Sequence, residues 1–392
     1  MKNPLLAPFM TPHQSTPFGE IKPEHFIPAI KKDIQESLKA INKITDQKAQ
    51  PSFDNTISAM QNISELLERN STILFNLNSA ETTEEIQQIT QQASPLLTKF
   101  QNDVRLNQVL FDRVKKVFEN RESEILTSEQ LTLLKKEFKS FARNGALLSE
   151  DEKLILRDID TEKAKLSLSF GENVLADTND FLIHITEESQ LKGLPDQVKE
   201  MGAEIAKSKN KTGWIFTLDY PSYVPFMTYL DNRELRRKMS LAFGQRGFRE
   251  NDHNNSKIIL KIIELRKKRA ELLGYESHAN FILAERMAGS EKNVNNFLED
   301  LYQKALPAAK KEWEELVSYA KKNLNLDQIE KWDTAYVSEK LKQRQLDLDE
   351  QLLKPYFPLE KVKLGLFEII GKLYGLSFKK NKDIQVLSLI HI

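Results

Sequence analysis

Histidines paired one helical turn apart, with a glutamate base between them, are what a zinc hydrolase presents from a helix. The six histidines here stand at His13, His25, His184, His253, His278 and His391. No two are four apart, no HExxH occurs, and none falls among carboxylates at a metal-like spacing. His278, in YESHANF, is read as a hydrogen-bonded helix residue, and His184 as a half-exposed strand position.

Nucleophile and phosphate motifs are missing too: there is no G-x-S-x-G elbow, no Walker A loop and no G-x-G-x-x-G. The absence of cysteine removes a thiol nucleophile, a disulfide framework and Cys-ligated zinc, and it fits a reducing compartment. A basic run, Arg266, Lys267, Lys268 and Arg269, lies between Glu264 and Glu271 and reads as a solvated helix face. With 57 basic against 57 acidic residues, no charge excess asks for nucleic acid. Trp313, Leu316 and Val317 read as core rather than as a ligand box.

The elements that would have to position a site are mostly helical. Ile30, Ile34, Leu38 and Ile41 follow Pro28 at the spacing of one helix face, and Ile57, Met60, Ile63, Leu67, Leu74 and Leu77 repeat it. Ser149 with Glu152 forms a capping box, after which Ile155, Ile159, Leu166, Phe170 and Val174 make a further stripe. Two short alternating runs, FLIHIT at 181 to 186 and GWIFTLD at 213 to 219, predict strands with a turn and a helix between them. Asp231 with Glu234 predicts a second capping box. Leu235, Met239, Ala242 and Phe243 then form the buried face, with Arg236, Arg237 and Lys238 off it. Later helices set their faces with Leu298, Leu301 and Ala305, then with Trp313, Leu316, Val317 and Ala320. The expectation is a mainly α protein with a small β insertion near 181–219.

At 392 residues, 40% of them hydrophobic, the chain is long enough for a large core. The N-terminus MKNPLLAPFMTPHQSTPF lacks the apolar run of a signal peptide, and nothing approaches the ~20 apolar residues of a membrane span. Cytoplasm is the expected location, with no membrane or nucleic-acid partner.

GWIFTLDYPSYVPFMTYLDNRELRRKM, 213 to 239, closely resembles a segment of the thimet oligopeptidase and peptidyl-dipeptidase family of zinc metallopeptidases, most of all its bacterial peptidyl-dipeptidase (dipeptidyl carboxypeptidase) branch. NPLLAPF, PFGEIKPEHFIPAI and PSFDNTI are similar to that branch, as are LSEDEKLILRDIDTEKAKLSLSFGENVL, GLPD, KKRAELLGYESHANFILAERMA and residues 331 to 378. These matches keep their order along nearly the whole chain.

The resemblance implies an elongated, multi-helix protein whose deep channel admits short, unstructured peptides. In the complete family enzyme, zinc is held by the two His of HExxH and a later Glu, and the peptidyl-dipeptidase branch releases C-terminal dipeptides. That motif belongs beyond position 392, so no catalytic, cofactor-binding or metal-ligating residue carries over to any position here. The implied organisation is an N-terminal helical region over 1–175, a short-strand connection over 176–225, and the first part of the catalytic region over 226–386. LSLIHI, 387–392, departs from the pattern and is read as a non-native tail.

The expected function is therefore a truncated, inactive part of a zinc oligopeptidase, binding no zinc in isolation. A non-catalytic helical peptide-binding protein is the alternative. The aromatics and prolines of the 213–239 stretch, Trp214, Phe216, Tyr220, Pro221, Tyr223, Pro225 and Phe226, are read as framework that turns a strand into the capped helix beginning at Asp231, with Tyr220 or Tyr223 lining a channel as the lesser alternative. Helix 359–378, with Val362, Leu366, Phe367, Ile370 and Leu373 on one side, is expected to expose apolar surface and favour aggregation or chaperone binding.

Overall fold

The computed structural model describes residues 3–347 and 350–386. The LSLIHI stretch and His391 lie outside them. The helices, in chain order, are α1 (Phe26–Thr45), α2 (Glu65–Ala80), α3 (Glu84–Arg105), α4 (Gln108–Glu119), α5 (Ser128–Phe141), α6 (Glu150–Asn179), α7 (Asp196–Ser208), α8 (Tyr220–Tyr229), α9 (Arg233–Gly244), α10 (Ser256–Leu272), α11 (His278–Leu283), α12 (Glu291–Leu324), α13 (Thr334–Leu346) and α14 (Leu359–Tyr374). Strand β1 (Leu182–Ile185) precedes α7 and β2 (Trp214–Thr217) follows it. The protein is mainly α, as the apolar spacing predicts, and no described helix is long and apolar enough to cross a membrane.

Two compact units divide the chain. The first holds residues up to Ser169, Ile258–Arg286 and the stretch from Asn381. Its cores lie where α1 meets α2 and α3, around Phe26, Ile30 and Leu74, and where α4 meets α5, around Phe111, Val114 and Phe141. The face that α1 buries is rotated slightly from the expected one: Asp33 and Ser37 are inside, Ile34 and Leu38 only half so. Asp33 is admitted because the Asn70 amide donates to it at 2.7 Å.

Ser149 caps α6 as expected, its backbone N–H donating to Glu152 at 2.9 Å while Glu152 N–H donates back to its hydroxyl at 3.4 Å. The stripe expected on that helix is corrected in part. Ile159 is buried beside Leu156, whereas Ile155 and Phe170 are exposed, because a long helix with charged flanks packs along only part of its length.

The second unit holds Phe170–Lys257 and Met287–Lys380. β1 and β2 pair antiparallel, Leu182 opposite Thr217 and Ile185 opposite Trp214, at the two expected places. Ile183 and Ile185 point into the core and His184 points out, its Nε2 2.6 Å from the Thr212 carbonyl. Gly202 of α7 lets that helix lie on the sheet, since a Cβ there would come within 3.0 Å of the Phe216 ring.

The segment after β2 differs from the expected turn. Residues 220–229 form the helix α8, with Pro221 in the first turn, where a missing N–H costs nothing, and Pro225 one turn on. Phe226 anchors α8 against Phe216, ring centroids 4.9 Å apart. The cap of α9 is also corrected: Asn232, not Asp231, accepts from the Leu235 N–H at 3.2 Å. Exposed Leu298, Leu301, Ala305 and Trp313 correct the expected faces of α12, whose core contacts are made by Leu316 and Ala320 near its C-terminal end.

Candidate functional site

The most completely built polar centre in the second unit joins α9 to α13. Arg236, expected off the buried face, is only 1% exposed and is one of the largest fully buried side chains. Its Nη2 donates to Asp333 Oδ1 at 2.9 Å, its Nη1 to the Leu230 carbonyl at 2.7 Å, and its Nε to the Trp332 carbonyl at 3.2 Å. The guanidinium lies 4.0 Å over the Tyr336 ring. Arg233 supplies a second cation to Asp333, from Nη2 at 2.7 Å and Nε at 3.0 Å.

Burial alone would raise the Asp333 carboxyl. Hydrogen bonds from Arg233, the Glu330 amide and Arg236 outweigh it and hold the carboxyl below its ordinary value. Asp231, released from capping, accepts from the Tyr336 hydroxyl at 2.9 Å and lies 3.6 Å from Lys340 Nζ. Burial, followed by that bond and the Asp231 charge, pushes Tyr336 up to about 12, so its phenol keeps its proton. Every charged group of the cluster is thus matched by an opposite charge. The cluster fastens one helix to the next; it holds no nucleophile.

Two clefts flank this region. One of about 390 Å³ is lined by Phe181, Glu234, Arg237, Leu241 and Arg249, with Glu234 and Arg237 paired at 2.8 Å. The other, about 610 Å³, runs from Gly193–Gln197 past Tyr229 to Lys340 and Lys354. Neither brings a base to a nucleophile.

The remaining candidates lie apart. Tyr220 is exposed, and Tyr223 stacks on Phe243 at 4.0 Å, with Arg246 3.7 Å from the Phe243 ring. In the first unit, Arg269 corrects the reading of the basic run as a wholly solvated face: it is buried, with Nε 2.8 Å from Asp160. Lys268 and Lys267 do face solvent and pair with Glu264 and Glu271. His278 opens α11, but its Nδ1 is buried without a hydrogen-bond partner, which corrects the bonded helix residue expected there. Burial, then Arg266, Lys163 and Arg269, lower its affinity for a proton. Among the described residues no three His, Cys, Asp or Glu side chains come together as they would to hold a metal ion. These residues do not fit zinc, and no step through zinc follows from them.

Residues 226–389 match the model of peptidase family M3. Oligopeptidase A of Escherichia coli (strain K12) is 32% identical over 390 residues, a match covering 98% of this chain and 57% of the relative. Dipeptidyl carboxypeptidase of the same strain is 30% identical over 386 residues, again 98% of this chain and 57% of the relative. Saccharolysin of Saccharomyces cerevisiae is 27% identical over 334 residues, 80% of this chain and 44% of the relative. The chain therefore spans little more than half the length of the bacterial relatives it matches.

Proposed function

We propose that this chain, which belongs to peptidase family M3, the family of the thimet oligopeptidases and peptidyl-dipeptidases, is the helical scaffold of a zinc-dependent peptidase that hydrolyses short peptides. The observation that carries the reading is the ordered likeness over 98% of the chain to two bacterial peptidases. Identities of 32% to an oligopeptidase and 30% to a dipeptidyl carboxypeptidase are too near one another to choose between internal cleavage and release of C-terminal dipeptides. Release of dipeptides is the finer activity we assign, on the motif likeness at 213–239. A cytoplasmic setting suits a chain with no cysteine.

By itself the 392-residue chain is an inactive part of that enzyme. Zinc hydrolysis needs three protein ligands and a base, and the described residues assemble no such set. Purified chain is to be incubated with zinc and both an internally quenched peptide and an N-blocked peptide; no cleavage is expected. Chelator-sensitive turnover would refute the inactivity and place the chemistry in these residues. The alternative, a non-catalytic peptide-binding protein, requires the chain to hold an unstructured labelled peptide. Fluorescence anisotropy that stays flat up to the solubility limit removes it.

A further inference from the structure

The first unit holds a cavity of about 500 Å³ between α2 and α3, separate from the two clefts described above. Met60, Ile63, Phe75, Leu97 and Val104 line it, and all five are only half-buried. Val104 packs against both cores of this unit, so the cavity marks their junction. Ser71 is the α2 residue too small to fill it. Its hydroxyl turns back onto the Leu67 carbonyl of its own helix at 2.7 Å. Small-molecule sites usually have volumes of about 300–1,000 Å³ and set a few placed polar groups in an apolar lining.

One part of the wall supplies such groups. Arg105 Nη1 donates to Glu137 Oε2 at 2.9 Å, the two side chains 34% and 17% exposed. The guanidinium is steadied by the Phe141 ring, 4.9 Å beneath it. Among the described residues, Arg105 Nε and Nη2 and Glu137 Oε1 have no partner. The pair carries no net charge, yet it sets N–H donors beside a carboxylate acceptor. A carboxylate brought here would be repelled by Glu137, and an ammonium by Arg105. A neutral group that accepts and donates at once satisfies both.

We propose that this cavity binds a small apolar molecule with a neutral carboxamide head. The apolar body lies among Phe75, Leu97 and Val104, the amide oxygen accepts from Arg105, and the amide NH2 donates to Glu137. The proposal rests on none of the observations behind the peptidase reading, which its failure would leave standing.

Three probes test it: 4-phenylbutyramide, 4-phenylbutyrate and 4-phenylbutylamine share one apolar body and differ in the charge of the head. Each is titrated into the full chain labelled with carbon-13 at the methionine methyls, and Met60, one of seven methionines, reports from the cavity wall. Met60→Leu identifies its signal. The amide should shift that signal and bind about tenfold more tightly than either charged analogue. Glu137→Gln leaves Arg105 unmatched and should turn the preference to the carboxylate, whereas Arg105→Gln should turn it to the amine. Ser71→Phe puts a ring into the cavity without touching the pair and should abolish binding, with circular dichroism showing the fold kept. If that variant does not fold, the two charge variants decide alone, since both their side chains reach solvent. The proposal falls if the Met60 signal ignores the amide or answers all three probes alike. It falls equally if the order of the probes is unchanged in Glu137→Gln and Arg105→Gln, or if folded Ser71→Phe binds as the parent does.

Discussion

Arg236 and Asp333 meet 2.9 Å apart with side chains 1% and 0% exposed, a buried ion pair between residues far apart in the chain. Its anchoring role follows from what surrounds it. Arg236 also satisfies the Leu230 carbonyl at the end of α8, and Asp333 accepts from the Glu330 N–H at 3.1 Å just before α13. One charge pair therefore fixes the ends of three helices. Removing Asp333 leaves Arg236 buried without its counter-charge, whereas Asp333 without Arg236 keeps Arg233. Asp333→Ala is expected to destabilise the chain by about 3–5 kcal/mol, while Arg236→Met with Asp333→Leu should cost distinctly less. Urea denaturation followed by circular dichroism reads both, and a double variant as unstable as Asp333→Ala would contradict the account.

Asp333 also gives a dependence on pH. Its folded pKa lies below the unfolded value, so the unfolded chain binds the proton first. The stability it contributes is present above the ordinary carboxylate range and is lost as pH falls through the folded pKa. Unfolding midpoints should drop on acidification below about pH 4, and Asp333→Asn should flatten that part of the profile.

His278 acts at a higher pH with the same sign. Burial and then three nearby cations depress its folded pKa, so between that value and about 6.5 the unfolded state carries more protons. Stability should therefore rise with pH through that window and level off above it. His278→Phe should remove the slope while leaving the plateau close to the parent's; a slope unchanged in the variant would assign the effect elsewhere. Zinc added in the plateau should not shift the midpoint, because no second and third ligand accompany this imidazole.

How far these features could be read from the sequence depends on their range. Periodicity carries local information, and it located α1, α6, α9 and α14, both strands and the Ser149 cap. The burial of Arg236 was invisible because it depends on Asp333, ninety-seven positions away. Asp231 and Asn232 are both good capping residues, and only the backbone, with the Tyr336 hydroxyl drawing Asp231 aside, decides between them. Proline composition suggested a turn at 220–229, yet Pro221 in a first turn is compatible with helix, and packing of Phe226 on Phe216 settles it. For function, spacing of histidines offered no motif, and the informative signal was ordered likeness over the whole length, which no single residue carries.

The turn before α7 offers a last, stricter test of the α8–α9 junction. Gly193 has φ +94°, a left-handed conformation that costs a side chain free energy. A Cβ there would also run into the Tyr229 carbonyl and come within 2.8 Å of Asp231 Oδ1. The contact is close because the Asp231 N–H donates to the Lys192 carbonyl at 2.8 Å, drawing the start of α9 onto this turn. Gly193→Ala must therefore either strain the turn or push away the segment that carries Asp231 and, one turn further on, Arg236. A loss of about 2–4 kcal/mol is expected, more than the roughly 1 kcal/mol of an ordinary Gly-to-Ala strain at positive φ, because backbone rather than a flexible side chain stands in the way. Gly274→Ala is the control: its φ is +79° with no neighbouring atom within 4 Å, so only the local strain should be felt. Equal losses at the two glycines would show that the Tyr229 contact adds nothing.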